Sequence, residues 1–338
     1  MQRFDLAVVA LCAMAGTAHA GAFHTSITQS IFGIPYRIDF YRVAGDLAGS
    51  GPRLEPEGMT WYDGVLYVTG DAGAAAPPGS GSETNGYVAA YAGGNIAAAP
   101  TALGQYATGG RAIGAEGVTV NTRGSGFGAF TAAPVLVVGD SAGGSVGRIL
   151  AALDTGSTAV VSEPFSPNVD DIAFVPGAVA ADDRFAIIDD GTSPTSLRFY
   201  STGAPFALLP GGFDLVPGAK GLTYLPPSQS STLFPAATSG ALLVAIKPDG
   251  AGLSQHELRL YGLDGALLTS SVLPTGVGSG LFGNIEALAF DPVGNRLFLG
   301  DESSLNSQIA VATRIPEPTS VALLVLAASS LAARRRGR

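Results

Sequence analysis

Apolar and β-branched residues fall in short runs along most of this chain, separated by glycine, proline, aspartate and asparagine. No stretch sustains a 3.6-residue apolar period over about 15 residues, so the pattern predicts strands and turns rather than helices. One unit recurs five times: a charged residue, often a glycine, an apolar or threonine strand, a turn, and a second apolar strand ending near an acid. It reads Glu57-Gly58-Met59-Thr60-Trp61 then Leu66 to Asp71, and Glu116-Gly117-Val118-Thr119-Val120 then Leu136 to Asp140. It continues as Asp170-Asp171-Ile172-Ala173-Phe174 then Phe185 to Asp190, and Lys220-Gly221-Leu222-Thr223-Tyr224 then Leu243 to Lys247. The last copy is Glu286-Ala287-Leu288-Ala289-Phe290 then Leu297 to Asp301, and successive starts lie 59, 54, 50 and 66 residues apart. Asp63-Gly64 and Gly294-Asn295 read as hairpin turns.

Two further strands follow in each of the first four units. They are Tyr87 to Tyr91 with Ala102 to Ala107, Arg148 to Leu153 with Thr158 to Glu163, Leu197 to Tyr200 with Phe206 to Leu209, and Glu257 to Tyr261 with Leu267 to Leu273. Four strands per repeat at this period is the mark of a β-propeller blade. The fifth unit has one further strand, Ile309 to Arg314, and Tyr36 to Val43 can supply the missing outer one. The expected fold is therefore all-β: a β-propeller of five four-stranded blades over residues 21–314, closed by an N-terminal strand so that no sheet edge is left open. Six blades, a pair of sandwiches and a β-helix are the alternatives.

The two ends differ from this body. Arg3, the apolar run Leu6 to Ala15 and Ala18-His19-Ala20 make residues 1–20 a signal peptide, cut by signal peptidase before Gly21. The single cysteine, Cys12, lies within it, so the mature chain has no disulfide. Residues 315–338 carry Pro316-Glu317-Pro318, an apolar segment 319–333, and Arg334-Arg335-Arg336-Gly337-Arg338. This order resembles the PEP-CTERM sorting signal of Gram-negative bacteria. The resemblance implies recognition and cleavage by an exosortase and release to the cell surface or extracellular matrix. The run Val321 to Ala333 is 13 residues long, short of the roughly 20 of a comfortable membrane span, which suits a transient membrane anchor. An extracellular polysaccharide is the partner expected there.

Charge narrows the body further. The whole chain has 27 acidic and 18 basic residues. Setting aside Arg3, Asp5 and the four terminal arginines leaves 26 acids and 13 bases. Such a balance argues against nucleic acid, which needs basic patches for its phosphates. No P-loop, zinc spacing or EF-hand occurs, and no haem, flavin or nucleotide is expected.

If the five units are blades, the start of each inner strand and the end of its neighbour share one face. An inner ring of Glu57, Glu116, Asp170, Lys220 and Glu286 is then flanked by Asp71, Asp140, Asp190 (or Asp189), Lys247 and Asp301. Crowded carboxylates repel unless a cation or hydrogen bonds relieve them, and all-oxygen donors suit Ca²⁺. Glu57, Glu116, Asp170, Glu286, Asp71, Asp140, Asp190 and Asp301 are thus candidate metal ligands. Lys220 and Lys247, the chain's two lysines, are candidates to bind an anionic group. The alternative is that the acids cap turns and the lysines neutralise them. The Glu-Gly-Met-Thr-Trp block and its repeats resemble phytase-like and esterase-like propellers, and more distantly the gluconolactonase and senescence-marker propellers. That resemblance implies divalent metal on the axis and, as a second functional reading, hydrolysis of phosphate or carboxylate esters; Lys220 departs from its acid-opening pattern. Gly139-Asp140-Ser141-Ala142-Gly143 matches a serine nucleophile elbow, but the repeats make it a blade turn. His256 reads as a surface strand residue.

Overall fold

The computed structural model describes residues 21–43, 56–71, 86–106, 115–123, 134–140, 148–152, 158–160, 168–189, 191, 194–203, 206–233, 239–248, 255–274, 282–302 and 307–316. The expected signal peptide, the sorting segment from Glu317 onward, Asp190 and Ser141 lie outside the described residues.

The described chain opens with a hairpin, β1 (Ala22–Ile31) and β2 (Ile34–Arg42), turned at Phe32 and Gly33 with φ of 51° and 79°. Two successive left-handed residues give a turn whose twist matches the flanking strands. Four four-stranded antiparallel sheets follow in chain order. The first is β3 (Gly58–Tyr62), β4 (Val65–Asp71), β5 (Gly86–Ala92) and β6 (Thr101–Tyr106). The second is β7 (Ala115–Asn121), β8 (Val135–Asp140), β9 (Arg148–Ala152) and β10 (Thr158–Val160). The third is β11 (Val169–Val175), β12 (Arg184–Asp189), β13 (Ser196–Ser201) and β14 (Leu208–Asp214). The fourth is β15 (Ala219–Leu225), β16 (Ala241–Ile246), β17 (Glu257–Gly262) and β18 (Leu267–Val272), with a short helix α1 (Pro227–Leu233) after β15. The last sheet holds β19 (Ile285–Asp291), β20 (Arg296–Asp301) and β21 (Gln308–Arg314). There β2 pairs antiparallel with β21, from Tyr36 opposite Arg314 to Arg42 opposite Gln308, and β1 lies outside it.

The first strand of each sheet packs on the first strand of the next: β3 on β7, β7 on β11, β11 on β15, β15 on β19, and β19 again on β3. The protein is all-β, in a β-propeller arrangement. Strand β1 and helix α1 were not expected from the sequence, and β14 begins at Leu208 rather than Phe206. Phe206 instead packs between the second and third sheets, against Phe185 at 6.2 Å.

Side-chain size explains how the sheets approach. Successive residues of a strand face opposite sides. One side of each inner strand is small: Gly58 and Thr60, Gly117 and Thr119, Asp171 and Ala173, Gly221 and Thr223, Ala287 and Ala289. The other side is large. Ile172 and Phe174 pack with Val135 and Val137 of the preceding sheet, while Ala173 and Val175 pack with Leu222 and Val244 of the following one. Large against small fills each seam to interior density.

Polar atoms also cross the seams. The Thr69 hydroxyl donates to the Glu116 carbonyl at 3.2 Å, and Thr119 Oγ1 accepts from the Phe174 N–H at 2.8 Å. Asp171 Oδ2 accepts from the Leu222 N–H at 2.6 Å. Arg123 reaches Asp183 at 2.9 Å and Arg296 reaches the Gly93 carbonyl at 2.9 Å, tying hairpins of adjacent sheets.

Candidate functional site

A local irregularity gathers the charged residues. Ala115 pairs with Asp140 and Gly117 with Gly139, so Glu116 is an extra residue in β7. Asp170 is extra between Val169–Asp189 and Asp171–Ile188, and Glu286 between Ile285–Asp301 and Ala287–Gly300. Lys220 and Gly221 together stand opposite Ala245. Each is a β-bulge, which frees one residue from the ladder and re-aims its side chain. Glu57, just ahead of β3, donates its N–H to the Thr69 carbonyl at 3.0 Å. The five charged positions therefore stand together at one end of the inner strands. Glu57, Asp170 and Glu286 are buried, and Glu116 and Lys220 are half-buried.

The ion pairs are specific. Lys220 Nζ lies 2.6 Å from Asp170 Oδ1, and Lys247 Nζ lies 2.5 Å from Glu286 Oε1. Both lysines thus flank the fourth sheet and each is committed to a carboxylate of its neighbour. Asn284 Nδ2 donates to Glu286 Oε1 and to Glu302 Oε2, each at 2.7 Å. One carboxylate oxygen each from Glu57, Glu286 and Glu302 lies within 4.8 Å of the others.

The register divides the expected second ring in two. Asp140, Asp189, Ile246 and Asp301 all sit opposite the residue preceding the inner-ring charge. Lys247 is one residue later, and its N–H bonds Gly218 O at 2.8 Å just as the Glu302 N–H bonds Asn284 O at 2.8 Å. Lys247 therefore matches Glu302, not Asp301, and the matching acid in the third sheet is Asp189 for Asp301. Neighbouring residues face opposite sides, so the two sets do different work. Asp301 accepts from the N–H groups of Gly283 (2.9 Å) and Asn284 (2.5 Å) and from Gln308 Nε2 (2.7 Å). Asp189 Oδ1 accepts from the Asn168 N–H at 3.1 Å and pairs with Arg198 at 3.2 Å. These acids hold the loop that precedes the bulge. Asp71 ends β4 opposite Gly86, and Asp140 ends β8 opposite Arg148.

Glu302 and Asn284 went unnoticed in the sequence. The signal was there: Asp301-Glu302 repeats the sequence pair Asp189-Asp190, and Glu302 stands at the mouth.

Burial sets the proton affinities nearby. It drives the Asp171 carboxyl well above the usual range; the Leu222 and Ile172 N–H groups oppose this, and the charges of Asp170 and Glu116 add to it. Burial likewise raises Asp301, against the lowering effect of its three donors. His256, expected at the surface, is fully buried just before β17. Its ring nitrogens lie against the backbone of Gly283 and Ile246 without closing a hydrogen bond of good geometry. Burial pushes its pKa below 6.5, partly offset by Asp301. An unfolded chain then binds a proton at this residue that the folded chain refuses. His256 accordingly contributes stability above about pH 6.5 that is lost as pH falls through its ordinary value. Replacing His256 by leucine is expected to remove that loss, read as the change in unfolding free energy between pH 7 and pH 5 in urea titrations. An unchanged pH dependence would contradict the assignment.

No protein-family model and no curated protein matches the chain. Among solved structures it is similar to the glutaminyl cyclase of Myxococcus xanthus, with 11% identity and a TM-score of 0.44 over 78% of this chain and 92% of that one. It is similar to a Trypanosoma rangeli sialidase with the inhibitor DANA at 8% identity and a TM-score of 0.43, covering 92% of this chain and 58% of the sialidase. An auxiliary nutrient binding protein from Bacteroides thetaiotaomicron follows at 11% identity and a TM-score of 0.41, over 88% of this chain and 70% of that one. No site residue is carried over from any of them.

Proposed function

We propose that this chain is an exported five-bladed β-propeller, sorted by an exosortase to the surface or matrix of a Gram-negative bacterium, where it acts as a binding or structural protein. A Ca²⁺-type cation is held at the mouth by Glu57, Glu286 and Glu302. One observation carries the cation: three carboxylate oxygens from adjoining sheets converge within 4.8 Å. Lys247 pairs with Glu286, and hard divalent cations favour such oxygen donors. The blade count is supported by five sheets whose inner strands succeed one another around one axis. Export and sorting rest on the two terminal sequence patterns.

Hydrolysis is the weaker reading. It would use Lys220 and Lys247 to hold an anionic substrate group, yet both already pair with Asp170 and Glu286.

Calcium at about one hundred times its dissociation constant adds roughly 2.7 kcal/mol to the folded state. For a chain of this size that raises Tm by about 5 °C. The shift is expected to vanish in Glu57→Gln/Glu286→Gln and to grow in Lys247→Ala, which removes the competing positive charge from Glu286. No calcium-dependent shift in the parent chain would remove the cation site. Turnover of a phosphomonoester or carboxylate ester that Glu286→Gln abolishes would instead establish the hydrolase.

A further inference from the structure

The end of the axis opposite the carboxylates holds a cavity of about 420 Å³. Strand β3 rises about 3.3 Å per residue from Gly58 to Tyr62, so the two ends are separate places. The volume falls within the range of small-molecule pockets. Its walls include Trp61, Tyr62, Phe174 and Tyr224. Trp61, Tyr62 and Tyr224 are half-buried and so retain accessible ring surface.

Three strands contribute the same polar group at the same level: Thr60, Thr119 and Thr223. Thr119 Oγ1 already accepts the Phe174 N–H, which leaves its hydroxyl proton to donate. Gln229 of α1 adds an amide. Past the strand ends, the lining residues Pro176, Pro226 and Pro292 occupy equivalent positions. Proline fixes φ and brings no N–H, so this rim is preset rather than ordered on binding.

Charge decides the ligand class. Among the described lining residues the one charged side chain is Asp63, which is exposed. Arg296 stands 5.3 Å from the Trp61 ring centre but is bound to Asp291 at 2.7 Å and to the Gly93 carbonyl at 2.9 Å. An anion would find no cation here, and a metal ion would lack a donor set. A plain hydrocarbon would strip water from threonine hydroxyls without replacing their hydrogen bonds. A neutral sugar meets both demands, with an apolar C–H face for the rings and hydroxyls for threonine and amide.

We propose that this end of the axis binds a neutral saccharide of one or two units, presented by an uncharged polysaccharide. The proposal rests on the exported reading only for the source of the sugar, and it is independent of the cation mouth.

Trp61 is the chain's single tryptophan, so fluorescence excited selectively at tryptophan, away from the tyrosine band, reports the wall of this cavity. The full chain is titrated with cellobiose, maltose, mannobiose and N-acetylchitobiose, beside glucuronate, inorganic phosphate and an octyl-chain detergent. A saturable change with one of the neutral disaccharides, and none with glucuronate or phosphate, is expected. Tyr224→Ala and the shape-conserving Thr223→Val should each weaken it at least about tenfold while the calcium-dependent Tm shift stays as in the parent. No response to any neutral disaccharide, a response confined to glucuronate or detergent, or affinity unchanged in both variants overturns the proposal. Loss of the calcium effect with sugar binding intact would count against the cation mouth instead.

Discussion

Asp171→Ala is expected to lower unfolding free energy by about 3 kcal/mol near pH 5, and by less near pH 8. The carboxyl accepts the Ile172 N–H at 2.7 Å and the Leu222 N–H at 2.6 Å, both buried. Alanine orphans both donors, and each unsatisfied buried group costs roughly 1–3 kcal/mol. The pH term has a definite sign. The folded pKa is raised above the unfolded value, so the stability this residue contributes is complete below about pH 4 and is lost as pH rises through the folded pKa. The penalty for removing it therefore shrinks toward alkaline pH. Urea titrations of parent and variant at several pH values measure this, and a penalty that grows with pH would show that the carboxyl is held as an anion. Asp171→Gly should behave similarly, although glycine occupies the matching position in β3, β7 and β15, because the bridge to Leu222 is lost.

Gly117→Ala is the second large effect, again expected near 3 kcal/mol. A methyl group on Gly117 would lie 2.6 Å from Asp171 Oδ1 and 2.7 Å from both the Asp171 Cα and the Ile172 nitrogen. Two of these atoms are backbone of the neighbouring inner strand, which cannot turn aside as a side chain can. The seam between β7 and β11 must open, and overpacking of this kind costs about 1–3 kcal/mol or more. Gly64→Ala is the control. Gly64 has φ +80° in the β3–β4 hairpin with nothing within 4 Å of an added methyl, so only the left-handed penalty of about 1–2 kcal/mol applies. Equal losses in thermal or urea unfolding would show that backbone conformation, not the inter-sheet contact, sets the cost. In a double-mutant cycle Asp171→Gly should recover part of the Gly117→Ala loss, because one of the three close atoms disappears.

The repeat was legible because a single motif encodes position twice. The charged residue marks the bulge at the mouth, and the small residue after it marks where inner strands touch. Alternation then assigns Met59, Val118, Ile172, Leu222 and Leu288 to equivalent faces without any structure. The second ring was misgrouped for a physical reason. In the fourth sheet the register position opposite the residue before the inner charge is Ile246, and the charge comes one residue later at Lys247; with a two-residue pleat that step exchanges faces, so Lys247 and Asp301 looked equivalent when Lys247 and Glu302 are. His256 lies between Gln255 and Glu257, a polar context that gave no sign of burial. Strand β1 carries Phe23, Ile27 and Ile31 four residues apart among polar residues, most of it is exposed or half-exposed, and its pairing depends on a turn formed by Phe32, an unusual residue at positive φ. Helix α1 is almost wholly polar and has no apolar period to read.

Strand β2 has a consequence in time. Its partner is β21, with Tyr36 opposite Arg314, so the first hairpin among the described residues waits for their last strand. Pairing across that separation is slow and comes late, since its loop-closure entropy is lost before any contact offsets it. Until residue 314 arrives, β2 has no β21 to pair with and the final sheet lacks two neighbours. The molecule thus carries a built-in delay: the β1–β2 hairpin is made early, and the last sheet is completed only once β21 follows it.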